Sequence, residues 1–92
     1  MYSRYRSEYN KYLTYERKLA EKTIEAYLKD LDLFVQWADT EGISLKEIDN
    51  TIARTYLFHL NQNKLSKSSI SRKISSIRLF YSFLVEYHEI DN

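Results

Sequence analysis

From Ser66 to Leu84 the chain reads SKSSISRKISSIRLFYSFL, with its apolar residues at helical spacing. Ile70, Ile74, Ile77, Tyr81 and Leu84 recur every three or four residues. That spacing predicts one amphipathic helix, capped by Ser66 and running to about Tyr87. Ser68, Arg72, Ser75 and Ser76 fall opposite the stripe, with no acid among them. Leu79 and Phe83 interrupt that polar side and are expected to pack against the first helix. Three earlier segments repeat the periodicity. Tyr5, Tyr9, Tyr12 and Leu13 share a face of a helix over roughly Ser3 to Arg17, flanked by Tyr2 and Tyr15. Ile24, Leu28, Leu31, Val35 and Ala38, widened by Tyr27, Phe34 and Trp37, predict a second helix from about Glu21 to Glu41. Ile52, Tyr56, Leu57 and Leu60 predict a third over roughly Thr51 to Gln62.

The punctuation fits these segments. Gly42 stands where the second helix needs a left-handed C-terminal residue. Ser44 and Glu47 have capping-box spacing, and Asn50 or Asp49 can cap the third helix. Ala20 is the exception, since it offers no side-chain oxygen to cap the second helix, at a cost of about 0.5–2 kcal/mol. There is no strand-like alternation, repeat or Pro/Gly linker, so the fold class expected is all-α, a compact bundle of four main helices in one domain over residues 1–92.

Composition narrows the function. The chain has no Cys, which excludes disulfides and thiolate metal sites, and it has no Pro and one Gly, which favours long helices. No apolar run reaches membrane-spanning length, and the start, MYSRYRSEYNKY, lacks the apolar core of a signal peptide. A cytoplasmic protein with no membrane partner is expected. Net charge is only +1, but it is unevenly spread. Residues 1–49 carry eight Lys/Arg against ten Asp/Glu, residues 50–85 carry six Lys/Arg and no acid, and residues 86–92 carry three acids. The basic middle points to a polyanion, set against the plainer reading of a solvated basic face.

Catalytic chemistry is not evident. His59 and His88 are far apart, and neither has carboxylates at ligand spacing, so no metal or other cofactor is expected. Asp30 and Asp32 lie two apart on a helix and point in different directions, which reads as a solvated face. The nine tyrosines sit at helical spacing beside aliphatic residues and read as core and interface packing, not as nucleophiles.

Three blocks carry a family resemblance: YLTYERKLAEKTIEAYLKDLDLFVQWA (12–38), ISLKEIDNTIARTYLFHL (43–60) and KLSKSSISRKISSIRLFYSFLVEYHEIDN (64–92). In this order and spacing they resemble the N-terminal core-binding, or SAM-like, domain of tyrosine recombinases of the phage integrase and Xer type. Two features depart from the pattern. Ala20 stands where the family usually has Ser, and the chain stops at Asn92, where the family continues through a Pro into a catalytic domain.

The resemblance implies a double-stranded DNA partner, held through the second and fourth helices during DNA integration and recombination. Carried over by position, the groove-facing residues are Lys22 and Thr23 in the second helix and Ser68, Ser69, Arg72 and Ser76 in the fourth. The residues themselves are expected to add phosphate contacts: the helix N-terminal amides near Ser66, and Lys67 and Lys73 with their long stems. Ser68, Arg72 and Ser76 are expected to point outward, with Lys73 on the flank reaching phosphates. The family's catalytic Arg, Lys, His and Tyr groups match nothing here, so the domain by itself is expected not to be an enzyme. As an isolated domain it is expected to be monomeric and, within a full recombinase, to touch neighbouring protomers on nucleoid DNA. In that setting Leu79 and Phe83 could instead meet the rest of the enzyme. The rival readings are a small all-α protein-interaction module and a stand-alone DNA-binding regulator.

Overall fold

In the computed structural model, which describes residues 2–88, the apolar stripes become four α-helices: α1 (Tyr2–Lys11), α2 (Glu21–Thr40), α3 (Asn50–Gln62) and α4 (Lys67–His88). The domain is all-α, with no strand among the described residues. The acidic chain end with Glu89 and Asp91, and the departure at Asn92, lie outside the described residues. The first helix is shorter than expected. After Lys11 the backbone widens into a π-helical turn, Tyr12–Glu16, where the Arg17 N–H donates to the Tyr12 carbonyl at 3.0 Å. Lys18, at φ 51°, then turns the chain out of the helix.

The other boundaries follow their caps. Ala20 enters α2 in extended conformation with no side-chain cap bond. At the far end, Gly42 N–H donates to the Asp39 carbonyl at 3.1 Å and Ile43 N–H to the Ala38 carbonyl at 2.8 Å. This pair is a Schellman closure around Gly42 at φ 72°. Ser44 N–H donates to Glu47 Oε1 at 3.4 Å, starting a single 3₁₀ turn, Leu45–Glu47. Asp49, not Asn50, caps α3, its Oδ1 accepting the Ile52 N–H at 3.0 Å.

The core forms where α1 and α2 pack on α4, and α2 against α4 is the most extensive helix–helix contact. Tyr9 and Leu13 are wholly buried at its centre. The Tyr9 ring meets Phe80 edge-on at 5.0 Å and Phe83 at 5.4 Å. Phe34 meets Tyr56 edge-on at 4.9 Å, bringing α3 into the same layer. Each buried Phe or Leu contributes about 1.5–3 kcal/mol of transfer free energy. Phe83 therefore packs against the first helix as expected.

The register of α4 is a correction. Its buried residues are Lys73, Ser76, Ile77, Phe80, Phe83 and Leu84. At about 100° per residue this arc is centred roughly 80° away from the aliphatic stripe. Ile70, Ile74 and Tyr81 are only partly buried. Ile74, Ile77 and Tyr81 line an open groove of about 650 Å³ beside α3. Phe80 and Phe83 lie inside the buried arc, and Ile70, Ile74 and Tyr81 lie at its edge.

A second correction concerns Asp32, read as solvated. It ties α2 to α1: Arg6 Nε and Nη2 donate to its two oxygens at 2.8 and 3.0 Å, and Tyr2 Oη donates to Oδ1 at 2.6 Å. Burial alone would raise this carboxyl, but the Arg6 and Tyr2 hydrogen bonds outweigh it and hold it below the usual range. A depressed folded-state pKa adds stability above the unfolded value of about 3.9, and that stability is lost as the pH falls through the folded value. Asp32→Asn is expected to flatten the acid limb of the stability–pH curve below about pH 4, read from urea midpoints. Gly42→Ala is expected to cost about 1–2 kcal/mol of unfolding free energy from backbone strain alone, since no atom lies within 4 Å of the added Cβ.

Candidate nucleic-acid interface

The first turn of α4 is built from hydroxyls. Ser66 caps the helix, its Oγ accepting the Ser69 N–H at 3.2 Å. The same Oγ donates to Ser69 Oγ at 2.9 Å and lies 3.3 Å from Ser68 Oγ. Ser66, Lys67 and Ser68 are exposed and Ser69 is half-buried. This part of the expected set is therefore brought together at the surface, on short side chains that keep the backbone accessible.

One turn further on, Arg72 and Lys73 converge on Asp30 of α2. Arg72 Nε donates to Asp30 Oδ2 at 2.8 Å and Nη2 to Oδ1 at 3.0 Å, a two-pronged fork. Lys73 Nζ donates to the same Oδ1 at 3.1 Å. The three side chains differ sharply in exposure: Asp30 keeps 1%, Lys73 10% and Arg72 47% of its surface. The hydrogen bond to Asp30, then its charge, raises the Arg72 pKa further and keeps the guanidinium charged. Burial, then the Asp30 charge, pushes the Tyr56 hydroxyl up to about 12.

Two expected site residues are thereby corrected. Lys73 is not a flank residue reaching for phosphates, because its amine is turned inward to neutralise Asp30. Ser76 does not point outward. It is 0% exposed, its Oγ donates to the Lys73 carbonyl at 2.9 Å, and its own carbonyl accepts Tyr9 Oη at 3.3 Å. Both lie on the arc that carries Phe80 and Phe83. Asp30, read as solvated, is the residue that sequence reasoning missed. A signal was present: Asp30 lies about 40° from Phe34, and Lys73 about 40° from Ile77, around their helices. Opposite charges inside the apolar arcs of two helices mark an interior pair.

Lys22 is exposed and Thr23 half-buried on the first turn of α2. Among the described residues, no hydrogen bond or ion pair joins them to the α4 set. Arg54, Lys64, Lys67 and Arg78 are exposed and make no ion pair among the described residues. No cluster of His, Asp and Glu there is suited to a metal ion, and no helix is long and apolar enough to cross a membrane.

The described residues thus form an all-α domain whose fourth helix presents hydroxyls and cations to solvent. Residues 7–88 match the phage integrase N-terminal SAM-like domain, and the chain belongs to that family. It is 39% identical over 87 residues to the tyrosine recombinase XerC of Pediococcus pentosaceus, covering 92% of this chain and 29% of that protein. It is also 39% identical over 77 residues to the tyrosine recombinase XerC of Staphylococcus aureus strain JH9, covering 84% of this chain and 26% of that protein. The chain thus spans less than a third of the length of these relatives. No solved structure matches it at a significant level.

The buried cluster makes a test of stability. Asp30→Asn strands the Lys73 ammonium without a counter-charge and is expected to cost about 3–5 kcal/mol. Lys73→Met leaves the Arg72 fork on Asp30 and is expected to cost well under half of that. Urea denaturation of the two variants, side by side, measures the asymmetry.

Proposed function

We propose that residues 1–92 form the core-binding domain of a site-specific tyrosine recombinase, gripping a duplex half-site through the exposed sides of α2 and α4. Strand cleavage and rejoining would belong to a part of the parent protein outside this sequence, so the domain binds and does not catalyse. The observation that carries the reading is the outer face of α4. Ser68, Ser71, Arg72, Ser75 and Arg78 are exposed there, no acid lies in residues 50–85, and Lys67 stands at the helix start. The family match and the relatives named as recombinases support it.

Lys67, Lys64, Arg54 and Arg78 suit phosphates, while the Arg72 guanidinium suits a guanine edge or a phosphate. On α2, Ala20 provides no side-chain acceptor, so first-turn N–H groups beside Lys22 and Thr23 stay open to a phosphate oxygen. Double-stranded DNA is the partner, and a cytoplasmic, nucleoid-associated setting follows from it.

A specific observation favours a protein contact as well. Tyr12, Tyr15, Phe83 and Tyr87 line a groove of about 420 Å³ where the π-helical turn meets the end of α4, and Tyr15 is 72% exposed. A neighbouring protomer on the same DNA suits that aromatic surface. An interaction module without DNA binding lacks a comparable reason for the absence of acids from residues 50–85.

Duplex binding by the chain is expected to be weak and strongly salt-dependent. Contact with about four to six phosphates gives a log–log slope of roughly −4 to −5 in fluorescence anisotropy titrations. A flat salt response, or no binding at low salt, removes the reading. Arg72→Ala is expected to weaken binding by about 1–3 kcal/mol if the guanidinium meets a base. Unchanged affinity returns Arg72 to a solvated face.

A further inference from the structure

We propose that Asp30 and Lys73 are positioning residues for DNA binding: Asp30 fixes the direction of the Arg72 guanidinium, and Lys73 supplies the counter-charge that leaves Arg72 with a net positive charge to present. This rests on the DNA-binding reading of α4 and says how that site is built.

The geometry separates the two roles. Arg72 spends Nε and one side of Nη2 on Asp30, so its remaining N–H donors, on Nη1 and the far side of Nη2, form the outward edge. A fork anchored at the base of the guanidinium fixes its plane. A free arginine would lose its rotamer freedom on meeting DNA, whereas this one has lost it in folding. Taken alone, the fork has a drawback: an Arg–Asp pair is neutral and attracts a phosphate weakly. Lys73 removes it. Its ammonium sits on the carboxylate oxygen Oδ1 at 3.1 Å, so two cations share one carboxylate and the cluster keeps one net positive charge. Asp30 and Lys73 are sealed under α2 and α4, and Arg72 is the member that reaches solvent. The surplus charge is therefore delivered through an oriented group, by a lysine that cannot itself touch the duplex.

A purely structural Lys73 would alter stability and leave the salt response of binding alone, and that difference supplies the test. Anisotropy titrations of a labelled mixed-sequence duplex across salt are run on the parent chain, Lys73→Met and Lys73→Arg, with circular dichroism confirming helix content. Lys73→Met keeps the Asp30–Arg72 fork and is expected to make the slope shallower by about 0.9, the loss of one neutralised phosphate. Lys73→Arg keeps the charge and is expected to keep the parent slope. By NMR, the Arg72 Nε–H is expected to exchange slowly with solvent in the parent and in Lys73→Met, with or without DNA. A Lys73→Met slope equal to the parent's, with the parent binding normally, overturns this inference and leaves the proposed function standing. Fast exchange of the Arg72 Nε–H in the parent overturns the positioning role of Asp30. A parent chain that binds no duplex overturns the proposed function and this inference together.

Discussion

A single carboxylate, Asp30, sets the register of the domain. An ionised carboxylate taken out of water without partners is penalised by several kcal/mol or more. Asp30 is buried between α2 and α4, so α4 must bring cations to it. Arg72 and Lys73 are adjacent, about 100° apart around the helix, and both reach Asp30 only if the wall between their directions faces α2. That condition rotates α4 to a definite angle. Ser76, one turn beyond Lys73, is then carried into the interior, with Phe80 and Phe83 following it. Ser68, Ser71, Ser75 and Arg78 are left outside. The inner electrostatics of the bundle and the composition of its outer face are one constraint seen from two sides.

Asp32 repeats the device on the other side of α2. Two residues along a helix is about 200° around it, so Asp30 and Asp32 address different neighbours. Asp30 holds α4, and Asp32 holds α1 through the Arg6 fork and the Tyr2 hydroxyl. Between these forks lies the aromatic layer centred on Tyr9. Its ring packs on Phe80 and Phe83, and its hydroxyl, which would be destabilising if buried unpaired, donates to the Ser76 carbonyl. The apolar layer supplies cohesion without direction, and the ionic and hydroxyl contacts fix which rotations of α1 and α4 are allowed.

This division explains what could be read from the sequence. Helix number, most helix ends and the caps at Gly42, Asp49 and Ser66 were legible, because backbone conformation and local hydrogen bonds are encoded within a few residues. The π-helical turn at Tyr12–Glu16 was not, since Tyr, Leu and Thr spacing there is as compatible with an ordinary helix. The rotation of α4 was also misjudged. Counting Ile70, Ile74 and Tyr81 as the inner stripe put Phe83, which is buried, on the polar side. It also put Ser76 outward and left Lys73 on the flank. A polar residue is placed inward by a partner on another helix, and that partner, Asp30, is more than forty residues away in the chain. The exposure of Ser66, Lys67, Ser68 and Arg72 was legible; the Asp30–Lys73 contact beneath Arg72 was not.

The fold thus divides the cations of residues 50–85 into kinds that do different work. Lys73 is internal and pairs with Asp30. Arg54, Lys64, Lys67 and Arg78 are exposed, and their long mobile side chains can follow a phosphate wherever the backbone places it. Such contacts add affinity and carry no sequence information. Arg72 is at the surface yet anchored, so it presents donors in a fixed direction. Only a group of that kind gains from a particular base edge more than from any phosphate nearby. In the proposed DNA-binding role, discrimination between sequences would depend less on total positive charge than on the stiffness of one side chain. That stiffness is supplied from beneath, by a carboxylate that never reaches the surface.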